Sequence, residues 1–202
     1  MIPGRSYDRV DAATPPALRQ VQAFLNTLDE REFERLGERH RHEDLLASPR
    51  QLRAWFDAAR LDDARVDART YEYALELRGA LRAVLAARAG LPADLEAANA
   101  TLARYPLLLR ASPSATRLAA VPPDAHPALA ELASAFAAGA VDGSLHRMRM
   151  CAAADCRWVF YDGSRSGQGR WCSMEPCGNR AKTRAYRRRR SGAAARHRAH
   201  EA

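Results

Sequence analysis

The chain has no cysteine before residue 151, a single lysine in its whole length, and no uninterrupted apolar stretch long enough to span a bilayer. The missing apolar run argues against a transmembrane helix. Charges scattered through the first thirty residues take the place of a secretory signal core. A cytoplasmic, non-membrane protein is the expectation. No phosphate-loop pattern, nucleophile elbow or internal repeat is present, and Gly167-Gln168-Gly169 lacks the strand-to-helix context of a dinucleotide site. With no legible nucleophile or acid–base pair, an enzyme is not expected. Only one of the 32 basic residues is lysine, Lys182. Such usage is what coding bias produces, so the placement of the arginines is informative and their abundance is not.

That placement is uneven. Residues 144–202 hold 14 Lys+Arg against 4 Asp+Glu, a net of +10, while residues 1–143 hold 18 against 20, a net of −2. A basic excess confined to one segment is expected when one domain meets a polyanion and the other does not. The hydrophobic fraction of 47% is enough for a true core.

Apolar periodicity in the first 143 residues predicts mostly helix. Thr14-Pro15-Pro16 reads as a capped helix entry followed by the stripe Leu18, Val21, Phe24, Leu25 and Leu28. Residues 29–44 show no clear period. Ser48-Pro49-Arg50-Gln51 resembles a capping box ahead of Leu52, Trp55, Phe56 and Ala59. Asp67 can cap a long helix carrying Tyr71, Ala74, Leu75, Leu81, Val84 and Leu85, which Gly90 stops. A further helix from Pro92 to about Ala103, a hairpin over 106–110 and 115–121, and a helix opened by Asp124 complete this part. Asp142-Gly143 is the expected boundary, dividing the chain into domains 1–143 and 144–202.

The four cysteines follow the pattern C-x4-C, fifteen intervening residues, C-x4-C: Cys151, Cys156, Cys172 and Cys177. Without a secretion signal, two short pairs are better explained by zinc than by disulfides, each pair supplying one edge of a tetrahedron. A segment of this size is near the lower limit for folding on its own core. Zinc on four thiolates contributes about 10–16 kcal/mol of apparent free energy. Four protein ligands leave no open position for water, so one structural Zn2+ is expected and zinc catalysis is not. Strands over 145–150 and 157–161, a loop, a second knuckle and a helix from Pro176 follow the order of a treble-clef finger. Trp158, Phe160 and Trp171 are read as packing around the metal in preference to stacking on bases. The expected fold is mainly α with small β-hairpins, a helical N-terminal domain followed by a treble-clef-like zinc finger.

Arg180, Arg184, Arg187 and Arg188 share one helical face, widened by Lys182, Arg189 and Arg190. Like charges at this spacing destabilise a free helix, so it needs an anchor, which Cys177 in its first turn supplies. A basic helix on a rigid metal clip suits phosphate contact. Double-stranded DNA is preferred to RNA because the B-form major groove admits a helix and the A-form groove does not. The alternative is an RNA-associated or protein-docking finger.

These residues resemble a known family. Arg170-Trp171-Cys172-Ser173-Met174, Cys177-Gly178-Asn179-Arg180 and Ala181-Lys182-Thr183-Arg184, with Trp158-Val159-Phe160-Tyr161-Asp162 and Ser164-Arg165, look like the CGNR zinc finger. In that family the finger follows a mostly helical domain called ABATE, and the pair is regarded as a stress-induced transcription regulator. The resemblance implies that Cys151, Cys156, Cys172 and Cys177 hold zinc and that Asn179 and Arg180 begin the helix. Where the family tends to carry a basic residue before Arg-Trp-Cys, this chain has Gly169. Phe24-Leu25-Asn26-Thr27 and Asp44-Leu45-Leu46, with Leu52 and Trp55, are similar to the ABATE pattern. The family implies a sensory or small-ligand role there, which makes Asn26 and Thr27 candidate ligand contacts. Taken alone, the two residues are better read as satisfying backbone groups at a helix end. His40-Arg41-His42-Glu43-Asp44 has no further ligand nearby and reads as an exposed polar loop rather than a second metal site. The DNA sequence recognised, the signal and the oligomeric state are not encoded in any motif found.

Overall fold

A computed structural model describes residues 11–35, 38–61, 65–121, 126–184 and 186–187. In chain order the elements are α1 (Pro16–Leu25), β1 (Leu28–Asp29), β2 (Glu34–Arg35), β3 (Glu38–Arg39), β4 (Glu43–Asp44), α2 (Pro49–Ala59), α3 (Ala68–Arg88), α4 (Leu95–Leu102), β5 (Leu107–Ser112), β6 (Ala115–Ala120), α5 (Pro127–Val141), β7 (Met148–Met150) and β8 (Val159–Tyr161). A π-turn over Met174–Gly178 leads into a last helix, α6, seen over 179–184 and again at 186–187. The strands pair antiparallel as β1–β4, β2–β3, β5–β6 and β7–β8. No described helix is long and apolar enough to cross a membrane.

Local chemistry accounts for most of the boundaries. Ser48 Oγ accepts from the Gln51 amide at 3.3 Å and Asp67 Oδ1 from Thr70 at 2.7 Å, starting α2 and α3 as anticipated. Gly90 ends α3 with φ of 71°, a left-handed value that favours glycine, while Leu91 N donates to Ala86 O at 2.9 Å. Thr14 does not cap α1: Pro15 occupies the cap position, and no side chain caps there. Two successive prolines leave fewer amide hydrogens for a cap to satisfy. The fourth helix begins at Leu95 rather than Pro92, because Asp94 accepts from Ala97 N at 2.9 Å. His126 Nδ1 caps α5, accepting from Ala128 N at 3.2 Å, and the expected opener Asp124 lies outside the described residues. The hairpin runs in register from Leu107 opposite Ala120 to Ser112 opposite Ala115. Residues 29–44, which showed no period, contain strands of only two residues, too short to express an alternation.

Helices α1, α3 and α5 enclose one core in which Leu18, Phe24, Leu77, Leu81, Leu129 and Leu132 are all at most 1% exposed. Gly139 sits inside α5 because a Cβ there would meet Leu18 at 3.0 Å, so its lack of a side chain lets α1 approach. The same core continues past residue 143 through Leu145, Met148, Met150, Val159 and Tyr161. Asp142-Gly143 is therefore a turn, with Gly143 at φ of 82°, across which apolar packing is continuous. The strand anticipated from Leu145 starts at Met148, since residues Ser144–Arg147 form a 3₁₀ turn initiated by Asp142 Oδ1 accepting from Ser144 N at 2.8 Å.

Candidate metal centre and nucleic-acid interface

Hairpin β7–β8 carries the first cysteine pair at its tip. Cys151 N donates to Trp158 O at 2.9 Å and Cys156 N to Ala153 O at 3.0 Å, closing a tight knuckle that Arg157 leaves with φ of 53°. The π-turn builds the second knuckle, where Cys177 N and Gly178 N both reach back to Ser173 O. The main chain ties the two knuckles together, Ala152 N donating to Arg170 O at 2.9 Å. All four sulfurs lie within 4.8 Å of one another, and Cys156–Cys172 and Cys172–Cys177 are each 3.7 Å apart. A tetrahedron with zinc–sulfur bonds of about 2.3 Å has edges of about 3.8 Å. These separations fit that tetrahedron and are far too long for a disulfide bond of about 2 Å.

The electrostatics of the four thiols agree with the same cation. Hydrogen bonding from Cys156 pulls the Cys151 thiol far below its ordinary range, and Cys151 in return pushes Cys156 and Cys172 far above theirs. Four thiols this crowded ionise together only around a bound dication. The residues present therefore hold one structural zinc. Cys151, Cys156 and Cys177 are fully buried, with Trp158, Phe160 and Trp171 packed against the cluster as filler, the role expected of them. A four-thiolate zinc centre carries net negative charge, and Arg180 answers it, with Nη2 3.8 Å from Cys177 Sγ.

Arg180 also pairs with Asp155 at 3.1 Å and lies over the Phe33 ring at 3.8 Å. It faces its own finger, and these contacts engage it structurally. Arg184, one turn on, shares the same carboxylate at 2.6 Å but keeps half of its side chain in solvent. Asn179, Lys182 and Arg187 are exposed, and Arg188 lies outside the described residues, as do Arg189 and Arg190. Asp155, an acid between two cysteines in an otherwise basic segment, was the sequence signal that could have revealed this inward pairing.

Asn26 and Thr27 are engaged by the protein's own backbone and side chains. Asn26 Nδ2 donates to Val159 O at 2.8 Å and its Oδ1 accepts from Val159 N at 2.9 Å, so its amide pairs with the edge of β8 as another strand would. Gln22 reinforces the bond at 3.3 Å. Thr27 is fully buried, its hydroxyl donating to Phe24 O at 2.6 Å and accepting from Arg78 at 2.9 Å. Arg78 in turn forms a two-pronged pair with Asp44, both bonds at 2.7 Å. The motif closes the helix end and clamps the helical unit to the finger, with the polar atoms engaged above turned inward.

Further contacts join the two parts. Arg82 ties Leu25 O, Glu30 and Arg157 O together, Arg31 lies over Trp158 at 3.9 Å, and Glu32 N donates to Asp155 O at 3.1 Å. His40, expected in an exposed polar loop, is buried and packs tilted against Phe33, 4.5 Å between ring centroids. Among the described residues the four cysteines are the only group placed to share a metal. Residues 18–143 match the family model for ABATE, described as "Putative stress-induced transcription regulator", and residues 147–190 match the CGNR zinc finger. No curated protein matches the chain. A helical unit that clamps a four-thiolate finger, matched along most of its length in this order, makes the chain a member of the ABATE family with a C-terminal CGNR zinc finger.

Proposed function

We propose that this protein is a DNA-binding transcription regulator whose α6 lays Lys182, Arg184 and Arg187 along the phosphates of a duplex, while the helical unit receives a signal. The observation that carries the reading is the division of labour on α6: Arg180 anchors the helix to the zinc site, and Lys182, Arg184 and Arg187 after it are exposed. One carboxylate, Asp155, serves two guanidiniums, so positive charge remains over for a polyanion. The clamp from Asn26 and the arm carrying Arg31 and Phe33 support a regulatory coupling, because a shift in the helical unit would be felt at the finger.

Fluorescence anisotropy of the full-length, zinc-loaded protein on unrelated duplexes, over a series of salt concentrations, tests it. With Arg180 spent on the finger, three or four phosphate contacts give a slope of log affinity against log salt of roughly −3 to −4. Arg184→Ala together with Arg187→Ala flattens that slope by about two units. Absence of binding at low salt, or tighter binding to structured RNA than to duplex, overturns the reading.

A further inference from the structure

A cleft of about 430 Å³ opens where the end of α3 meets the finger. Arg88 and His146 line it from one side, Arg149 and Arg170 from the other, and Leu85, Ala89 and Met148 contribute apolar surface. No carboxylate is among its lining residues. Asp162 lies 3.9 Å from Arg149 Nε, and that carboxylate already accepts from Ser164 N at 3.1 Å and Gly169 N at 2.6 Å. Arg149 Nε is buried without a hydrogen-bond partner. Arg88 Nη1 donates to the Leu145 carbonyl at 3.0 Å, and its Nη2 lies 3.2 Å from His146 Nδ1. Arg170 leans over Trp171 at 5.4 Å. Neither Arg88 nor Arg170 forms an ion pair among the described residues.

Three guanidiniums border one small volume, and among the described residues only Arg149 has a carboxylate beside it, so an anion placed among them would be attracted by all three. Burial, together with the charge of Arg149, holds the Arg88 pKa below its ordinary value. Guanidinium forks match the paired oxygens of a carboxylate or phosphate. The volume is that of a small-molecule site, and the apolar wall suits more than an inorganic ion.

We propose that this cleft is a seat for a small organic oxyanion with a short apolar body, held by Arg88, Arg149 and Arg170. The inference deepens the sensory half of the function proposed above, for which it supplies a ligand class and a place. One wall belongs to the helical unit. The other runs through Arg170, whose carbonyl ties the two knuckles and which stands two residues before the zinc ligand Cys172. An anion bridging the walls thus fixes the angle between α3 and the finger.

Titration calorimetry on the full-length zinc protein, with phenyl phosphate, benzoate and inorganic phosphate as probes at matched ionic strength, tests the proposal. A saturable isotherm is expected for phenyl phosphate or benzoate, tighter than for inorganic phosphate, and weakened roughly tenfold by Arg88→Gln. Because Arg88 also holds a backbone carbonyl, Ala89→Phe provides a second variant, which fills the cleft and leaves every guanidinium in place. Zinc content and the anisotropy assay without added anion are measured in parallel, and both variants should keep wild-type values. No saturable binding, or binding that survives both substitutions, overturns the proposal. So does loss of DNA affinity in Arg88→Gln with zinc retained, since the cleft would then be a seat for backbone phosphate. Should no form of the protein bind DNA, the isotherms still decide the anion site on their own.

Discussion

The helical unit and the knuckles of the finger reach the same end, a fixed local geometry, by different physics. In the first, leucines and phenylalanines that are at most 1% exposed fill the space between α1, α3 and α5. Each contributes about 1.5–3 kcal/mol by leaving water, and the loss of one is survivable. In the knuckles there are three buried cysteines, a fourth half-buried, and a thin jacket of aromatic rings. Stability there is concentrated in one ion, and the loss of one ligand is not survivable. Between them, β7 and β8 belong to both regimes: their tips hold sulfurs, and Met148, Met150, Val159 and Tyr161 sit in the helical core. Two modules that a residue count would separate at 143 are thus mechanically one at the hairpin.

The comparison breaks most visibly if zinc is removed. Cys172→Ser, or chelation of the wild type, should release the metal and unfold the knuckles, forfeiting on the order of 10 kcal/mol of local stability. Because the hairpin is shared, the remaining helical unit should also melt at lower temperature instead of standing untouched. Metal analysis with a circular-dichroism melt checks this, and one zinc per chain in the variant would contradict it. The clamp comes next. Asn26→Ala leaves the buried N–H of Val159 unpaired and its C=O with only the longer bond from Gln22; an unpaired buried group costs about 1–3 kcal/mol, so a loss of about 1–3 kcal/mol is expected in urea unfolding with zinc retained. A loss under 1 kcal/mol would show that the clamp is incidental.

Acid sharpens the contrast further. Burial tends to raise the Asp44 carboxyl, but hydrogen bonds from Arg78 and the Leu46 amide outweigh it and hold the group below its ordinary 3.8. A depressed folded-state value means that the contribution of the Arg78 pair is complete above about pH 4 and is lost as pH falls through the lower folded value. Asp44→Asn should therefore flatten the acid limb of the stability curve. Zinc release, which protonates thiolates, is a separate acid transition, and metal measurements distinguish the two. The smallest effect is expected at the joint: Phe33→Ala removes the ring under Arg180 and should cost about 0.5–2 kcal/mol, read as weaker zinc retention in a chelator competition.

How much of this was legible depended on whether the signal was local. The cysteine spacing, the caps at Ser48 and Asp67, the stop at Gly90 and the hairpin at 107–120 act over a few residues, and each is visible in the sequence. Asn26 meeting Val159 spans 133 residues, and Arg180 meeting Phe33 spans more still, so no spacing rule announces either. Arg78 and Arg82 lie on the buried face of α3, where a hydrophobicity pattern cannot place them, because their burial is permitted only by partners from distant loops. For the same reason Arg180 was read with the solvent-facing arginines: periodicity gives a face but not what the face meets.

The sequence alone determined that four thiols would gather one metal, that a basic helix would follow, and that the preceding residues would pack as helices, since ligand spacing and apolar period are short-range properties. Only the tertiary structure decided that Arg180 turns to the zinc site and that helical unit and finger share a core. Those outcomes rest on desolvation and pairing between residues far apart in the chain, which exist only once the chain has closed on itself.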